Sequence, residues 1–275
     1  MELLSFYFPS IIASILLLLV LGLLGYHLIA RNQSLEVLLL GQEFQTAILL
    51  SAFFLSILPR ISYDHHGVHL EIIITLILAI LSHILFRRIF RFKSHIKTEG
   101  VVGYLVFLMG LNQLVILISP LIEMHMVKSY IGDIVTVSKS ESYFLIGISV
   151  VALIGIIKRR KFFFLDSLDI SIFGKVTKQR NNKLFFNAVT LCMMLFSIHH
   201  FGVLFTLGAI LIPGLINSFF LLSKKDLIFQ VALSSTSPIF AFILTTYNDR
   251  LPTTVLILFI VFGINILYGF IRKRI

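Results

Sequence analysis

The chain has 275 residues, 58% hydrophobic and 13% charged, with a formal net charge of +10 and a mean hydropathy of +1.01. Continuous apolar runs reach the roughly 20 residues that a helix needs to cross hydrocarbon, so the composition describes a polytopic membrane protein and leaves no room for a separate soluble domain. A single cysteine, Cys192, excludes an internal disulfide and a cysteine-based zinc motif.

No alternating strand pattern runs through the chain, and a backbone in lipid must satisfy its own hydrogen bonds, so the predicted fold class is all-α: a bundle of eight or nine transmembrane helices forming one domain over 1–275. In chain order the predicted spans are 8–30, 35–58, 70–86, 100–120, 142–157, 184–200, 202–222, 227–246 and 253–271. The first lacks a basic leader and a small-residue cleavage site, so it is read as a retained helix. The second is unusually polar for a span, carrying Glu36, Gln42, Glu43 and Gln45, and ionisable groups at such depth are functional candidates. Between spans 2 and 3 lies "DHHGVH", with His65, His66 and His69 gathered in what Gly67 suggests is a loop. The inner segment at about 158–183 contains "DSLDISIFGKVTK", where Asp166 or Ser167 caps a short surface helix and Gly174 stops it. An amphipathic loop lying on lipid headgroups is the other reading of that segment. Span 7 places Pro213 at mid-membrane among Gly202, Gly208 and Gly214. This suggests either a broken helix lining a path, possible only where protein encloses it, or a packed kink; a re-entrant segment is also open here.

Basic residues fix the expected sides. All but four of the 23 lysines and arginines fall in inner segments if the N-terminus is outside and the C-terminus inside; Arg60, Lys128, Lys139 and Arg250 are the exceptions. That partition explains the positive charge through topology and anionic lipid, and argues against nucleic acid as a partner. His27, His83 and His95 then lie toward the inner side. His65, His66, His69, His125, His199 and His200 lie outside, with Asp64, Glu71, Glu123 and Asp133 among them. Imidazole and carboxylate together suit a divalent metal, although histidine is also at home at any membrane interface. Neither a metalloprotease HExxH nor a phosphate-binding loop occurs, so the chain is read as a non-enzyme, and ATP-driven work would need a separate subunit.

The segment "FGVLFTLGAILIPGLINS" resembles the corresponding segment in permease subunits of bacterial zinc and manganese ABC importers. "ARNQSLEVLLLGQ", "EGVVGYLVF", "YIGDIVTVSKSE" and "DRLPTTV" are similar to further family segments in the same order, covering nearly the whole chain. The resemblance implies a permease of the bacterial inner membrane, functioning as a homodimer with two ABC ATPase subunits and an extracytoplasmic metal-binding protein. No cofactor would be permanently bound; zinc, or else manganese or iron, would be cargo. It also implies that Asp166, Ile170 and Gly174 belong to the helix that couples to the ATPase, with Ile170 replacing the family's usual alanine. The family's Asp and His pair in span 2 falls here on Leu38 and Gln42, so that pair is absent. Gln42, Glu43, Asp133 and Pro213 are candidate pathway residues, and the six outer histidines are candidate ligands at the outer mouth. A secondary carrier without an ATPase, and a permease-derived scaffold or sensor, are the competing readings.

Overall fold

The structure is a computed structural model that describes residues 2–31, 33–57, 65–89, 98–119, 129–132, 134–159, 180–220, 224–247 and 252–273. Within them the regular elements are all helical: α1 (Glu2–Ala30), α2 (Ser34–Ile57), α3 (His65–Ile89), α4 (Thr98–Ile118), a 3₁₀ turn (Ile134–Thr136), α5 (Lys139–Lys158), α6 (Arg180–Phe220), α7 (Lys224–Ser234), α8 (Ser237–Tyr247) and α9 (Thr253–Lys273). Seven of the membrane-scale stretches are long and apolar enough to cross a bilayer, and α3 adds the shorter apolar stretch Leu70–Phe86. The helices divide into two compact units, residues 1–34 with 131–275, and residues 35–130.

In the larger unit, α1 packs against the second part of α6 at close range. A Cβ on Gly25 would run into the Ile210 backbone, and one on Gly214 would sit 2.5 Å from Ile29 Cδ1. Small residues at such a crossing let helix backbones approach where lipid supplies no hydrophobic drive for association. Ser10 Oγ adds a polar link from α1 to α5, 3.0 Å from Ser142 Oγ. The start of α5 is fixed locally: Ser138 is its N-cap, and Glu141 closes a capping box by accepting from the Ser138 amide at 2.9 Å.

Of the predicted elements in this part of the chain, spans 6 and 7 are found as two helices and span 8 differs. Spans 6 and 7 are the two parts of α6, whose apolar stretch, Phe185–Asn217, has 33 residues. At about 1.5 Å per residue that is ~50 Å, too long for one crossing of a ~30 Å hydrocarbon core. It is divided at Gly202, whose φ of 83° and ψ of 165° are not helical. The break therefore falls at the predicted boundary between spans 6 and 7, and Pro213, for which the sequence leaves both a broken helix and a packed kink open, is buried inside continuous helix. The predicted span 8, by contrast, is two helices, α7 and α8, joined by a turn at Ser235 and Thr236. Pro238 has no amide to return to the Ser234 carbonyl, which explains why one helix cannot run through.

A polar seam joins α7 to α9. Asp226 Oδ1 accepts from Arg272 Nε at 2.7 Å and from the Tyr268 hydroxyl at 3.0 Å, and Asn265 Nδ2 donates to Ser234 Oγ at 2.7 Å. Gln230, fully buried, lies between those two links on α7.

In the smaller unit α2 and α3 are antiparallel, linked by Glu43 to His83 and by Ser51 to Thr75. Each step of eight residues along one helix is matched by eight in the reverse sense along the other. Ala47 and Ala79, both buried, fall midway between the two links. Below the first link, Leu39, Phe86, Val101, Tyr104 and Leu108 form an apolar cluster that brings in α4. The Phe86 and Tyr104 rings stack at 4.8 Å, and the Tyr104 hydroxyl lies 2.8 Å from Ser82 Oγ.

Candidate functional site

The most unusual polar group in the chain is Glu43, nine residues into an apolar helix and 1% exposed. An isolated carboxylate in hydrocarbon costs at least ~2.5 kcal/mol, so it needs a partner. The partner is His83 on α3: its Nδ1 lies 3.0 Å from Glu43 Oε2. With the carboxylate as acceptor, the imidazole donates through Nδ1, and in the neutral ring this leaves Nε2 as the acceptor nitrogen. Unlike the carboxylate, the imidazole side chain keeps 22% exposure.

The positions around this pair are set by the helices. Leu39, one turn before Glu43, and Phe86, three residues after His83, belong to the apolar cluster. Ser82 holds the Tyr104 hydroxyl. Gln42, about 100° around α2 from Glu43, is buried and donates through Nε2 to Gln45 Oε1 at 3.1 Å, while Thr46 Oγ1 donates to the Gln42 carbonyl at 2.9 Å. Gln42 and Gln45 therefore satisfy each other along the helix, and the carboxylate reaches across to α3.

The predicted outer-mouth histidines are distributed otherwise. His65, His66 and His69 lie in the first turns of α3 and not in a loop. Gly67 is absorbed at a helix start, where one glycine costs at most about 1 kcal/mol. Their side chains lie outside the described residues, as do His125, Asp133 and the coupling residues Asp166, Ile170 and Gly174. His199 and His200 end the first part of α6, with rings 4.9 Å apart and nearly perpendicular; His200 is buried. Among the described residues no three His, Cys, Asp or Glu side chains come together in a metal-binding group.

Immediately after those histidines, two backbones cross at the two positive-φ glycines, Gly132 (φ 59°) and Gly202 (φ 83°). A Cβ on Gly202 would lie 2.8 Å from the Gly132 nitrogen, and one on Gly132 would meet the Phe201 carbonyl. Thr254 Oγ1 donates to the Gly132 carbonyl at 3.1 Å, bringing the start of α9 to the same crossing. The segments "YIGD", "HHFG" and "PTT", distant in sequence, thus converge on one point of the larger unit.

Two comparisons place this architecture among known proteins. A family profile described as the ABC 3 transport family matches residues 4–271. Among solved structures, PsaBC from Streptococcus pneumoniae in complex with Fab superposes with a TM-score of 0.69 at 17% identity, covering 94% of this chain and 89% of that one. This likeness shows a shared fold. No curated protein matches the sequence.

Proposed function

The chain belongs to the ABC 3 transport family, and from that membership we propose that it is the membrane permease of an importer carrying a divalent transition metal into the cytoplasm. The observation that carries the reading is the family match across 4–271, which takes in every span. A cation cargo is supported by an ionisable pair between two apolar helices of the smaller unit, Glu43 with His83. Zinc is the favoured metal, with manganese and iron as the other candidates. Nine histidines against one cysteine offer imidazole and carboxylate, and imidazole suits zinc better than manganese.

In this reading the chain is a multi-pass protein of the bacterial inner membrane with its N-terminus outside, working as a homodimer. A separate ATPase docks on the 158–183 segment through Asp166, Ile170 and Gly174. An extracytoplasmic binding protein delivers metal to the histidine-bearing outer side, where His65, His66, His69, His125, His199 and His200 are candidate contacts. Asp133 and Pro213 belong with Gln42 and Glu43 among candidate pathway residues.

The test is metal uptake by a deletion strain complemented with the gene, together with purification of the tagged chain. Loss of zinc accumulation on deletion, its restoration, and an ATPase that co-purifies are the expected results. Normal accumulation of zinc, manganese and iron without the gene would reject the importer.

A further inference from the structure

We infer that His83 and Glu43 form an intramembrane stopping place for the transported metal, with His83 Nε2 as the ligand and Glu43 as the positioning residue that holds the ring. The inference rests on the importer reading and adds the residue that touches its cargo inside the membrane and the one that positions it.

The geometry is that of a histidine prepared for a metal. Ligating histidines commonly give their second ring N–H to a carboxylate, which fixes the tautomer, orients the ring and makes the free nitrogen more basic. Here Nδ1 is committed to Glu43 Oε2 at 3.0 Å, and the carboxylate is itself fixed by near-complete burial. Neighbouring contacts restrict the ring further. Ser82, the residue before it, is held by the Tyr104 hydroxyl at 2.8 Å, and Phe86, one turn on, stacks on Tyr104. The antiparallel register, repeated at Ser51 and Thr75 with 2.9 Å between hydroxyls, prevents α2 and α3 from sliding past one another.

The two side chains of the pair are not equally buried. The His83 side chain keeps 22% exposure while that of Glu43 keeps 1%. Chemically an imidazole suits a borderline divalent cation such as zinc. One imidazole with water in the other positions binds weakly, as a transport stop must, since a closed four-ligand site would hold the ion. The site also differs from the outer histidines in requiring two helices, because neither residue has a second ligating group one turn away on its own helix: Leu39 and Ala47 flank Glu43, and Ala79 and Arg87 flank His83.

The experiment uses the full chain in lipid nanodiscs, with zinc alone as the probe, alongside uptake in the complemented deletion strain. His83→Gln keeps a donor toward Glu43 but removes the imidazole. Glu43→Gln keeps an acceptor for the ring but removes the charge. His83→Gln is expected to lower zinc affinity and limiting-zinc uptake at least tenfold at unchanged membrane abundance, and Glu43→Gln to lower affinity about ten- to hundredfold. Cobalt substituted for zinc should show a ligand-field spectrum that His83→Gln alters. If wild type imports zinc and His83→Gln binds and imports it equally well, the inference is overturned while the importer stands. If His83→Gln fails to accumulate, Glu43→Gln decides: unchanged zinc affinity overturns the inference and a weakened one supports it. Failure of wild type to import any of the metals instead rejects the importer reading.

Discussion

Gly202 shows how much one residue can determine. Its φ of 83° with ψ of 165° lies in a region open essentially to glycine alone, so any side chain there is strained by roughly 1–3 kcal/mol. The site is also crowded, because a Cβ would stand 2.8 Å from the Gly132 nitrogen, which belongs to another segment of backbone and cannot rotate aside. Both costs fall on Gly202→Ala, which should lower the thermal midpoint of the purified protein and the amount inserted. Gly103→Ala is the matched control: a Cβ on Gly103 meets nothing within 4 Å, and alanine favours helix. A thermal scan in detergent compares them. Equal midpoints for the two variants would mean that the crossing does not contribute to stability.

At the scale of elements, the turn between α7 and α8 interrupts a membrane span, and the polar seam with α9 compensates for it. Asn265, fully buried, donates to Ser234 at the end of α7 and to its own helix at Val261 O, 2.6 Å away. Interhelical hydrogen bonds in membranes average about 0.6 kcal/mol and reach about 1.7. A cycle of Asn265→Ala, Ser234→Ala and the double variant, followed by unfolding in mixed micelles, should therefore give a coupling near the upper part of that range. Zero coupling would show that the break is held by packing alone.

Much of this element scale was legible in the sequence. Hydropathy located every span to within a few residues, and the boundary drawn at Phe201, between "SIHH" and "GVLF", falls beside the actual break in α6. Pro213 alone does not decide between a break and a packed helix, because a helix interior tolerates proline when neighbours re-satisfy the freed carbonyl, whereas a positive φ leaves no mark in sequence beyond the glycine itself. The turn at Ser235 was missed because serine and threonine can satisfy their hydroxyls on nearby carbonyls and so read as ordinary span residues. For the site, Glu43 was recognisable as a polar group out of place, but its partner was not sought. The signal existed: folding the predicted spans 35–58 and 70–86 back on one another sets residue 43 within about two positions of His83.

For the molecule as a whole, charge and fold should agree on orientation. Positive segments resist translocation, so the strongly basic 87–97 and 158–183 stretches are expected in the cytoplasm and the weakly charged connections outside. The lone Cys192, in α6, permits a direct test, since replacing it with serine gives a background without thiols. Two single cysteines can then be introduced at exposed positions near opposite ends of helices: Ser140→Cys at the start of α5 and Arg88→Cys at the end of α3. An impermeant maleimide added to intact, wall-stripped cells should label position 140 and spare position 88, and permeabilisation should expose the second. Because α3 and α5 are separated by the single span α4, both ends must follow one order of crossing. Labelling of position 88 from outside with protection of position 140 would invert the whole arrangement, placing the 158–183 segment where no cytoplasmic ATPase could reach it. The orientation assay therefore tests the proposed coupling through Asp166 and Gly174 as directly as it tests the positive-inside pattern.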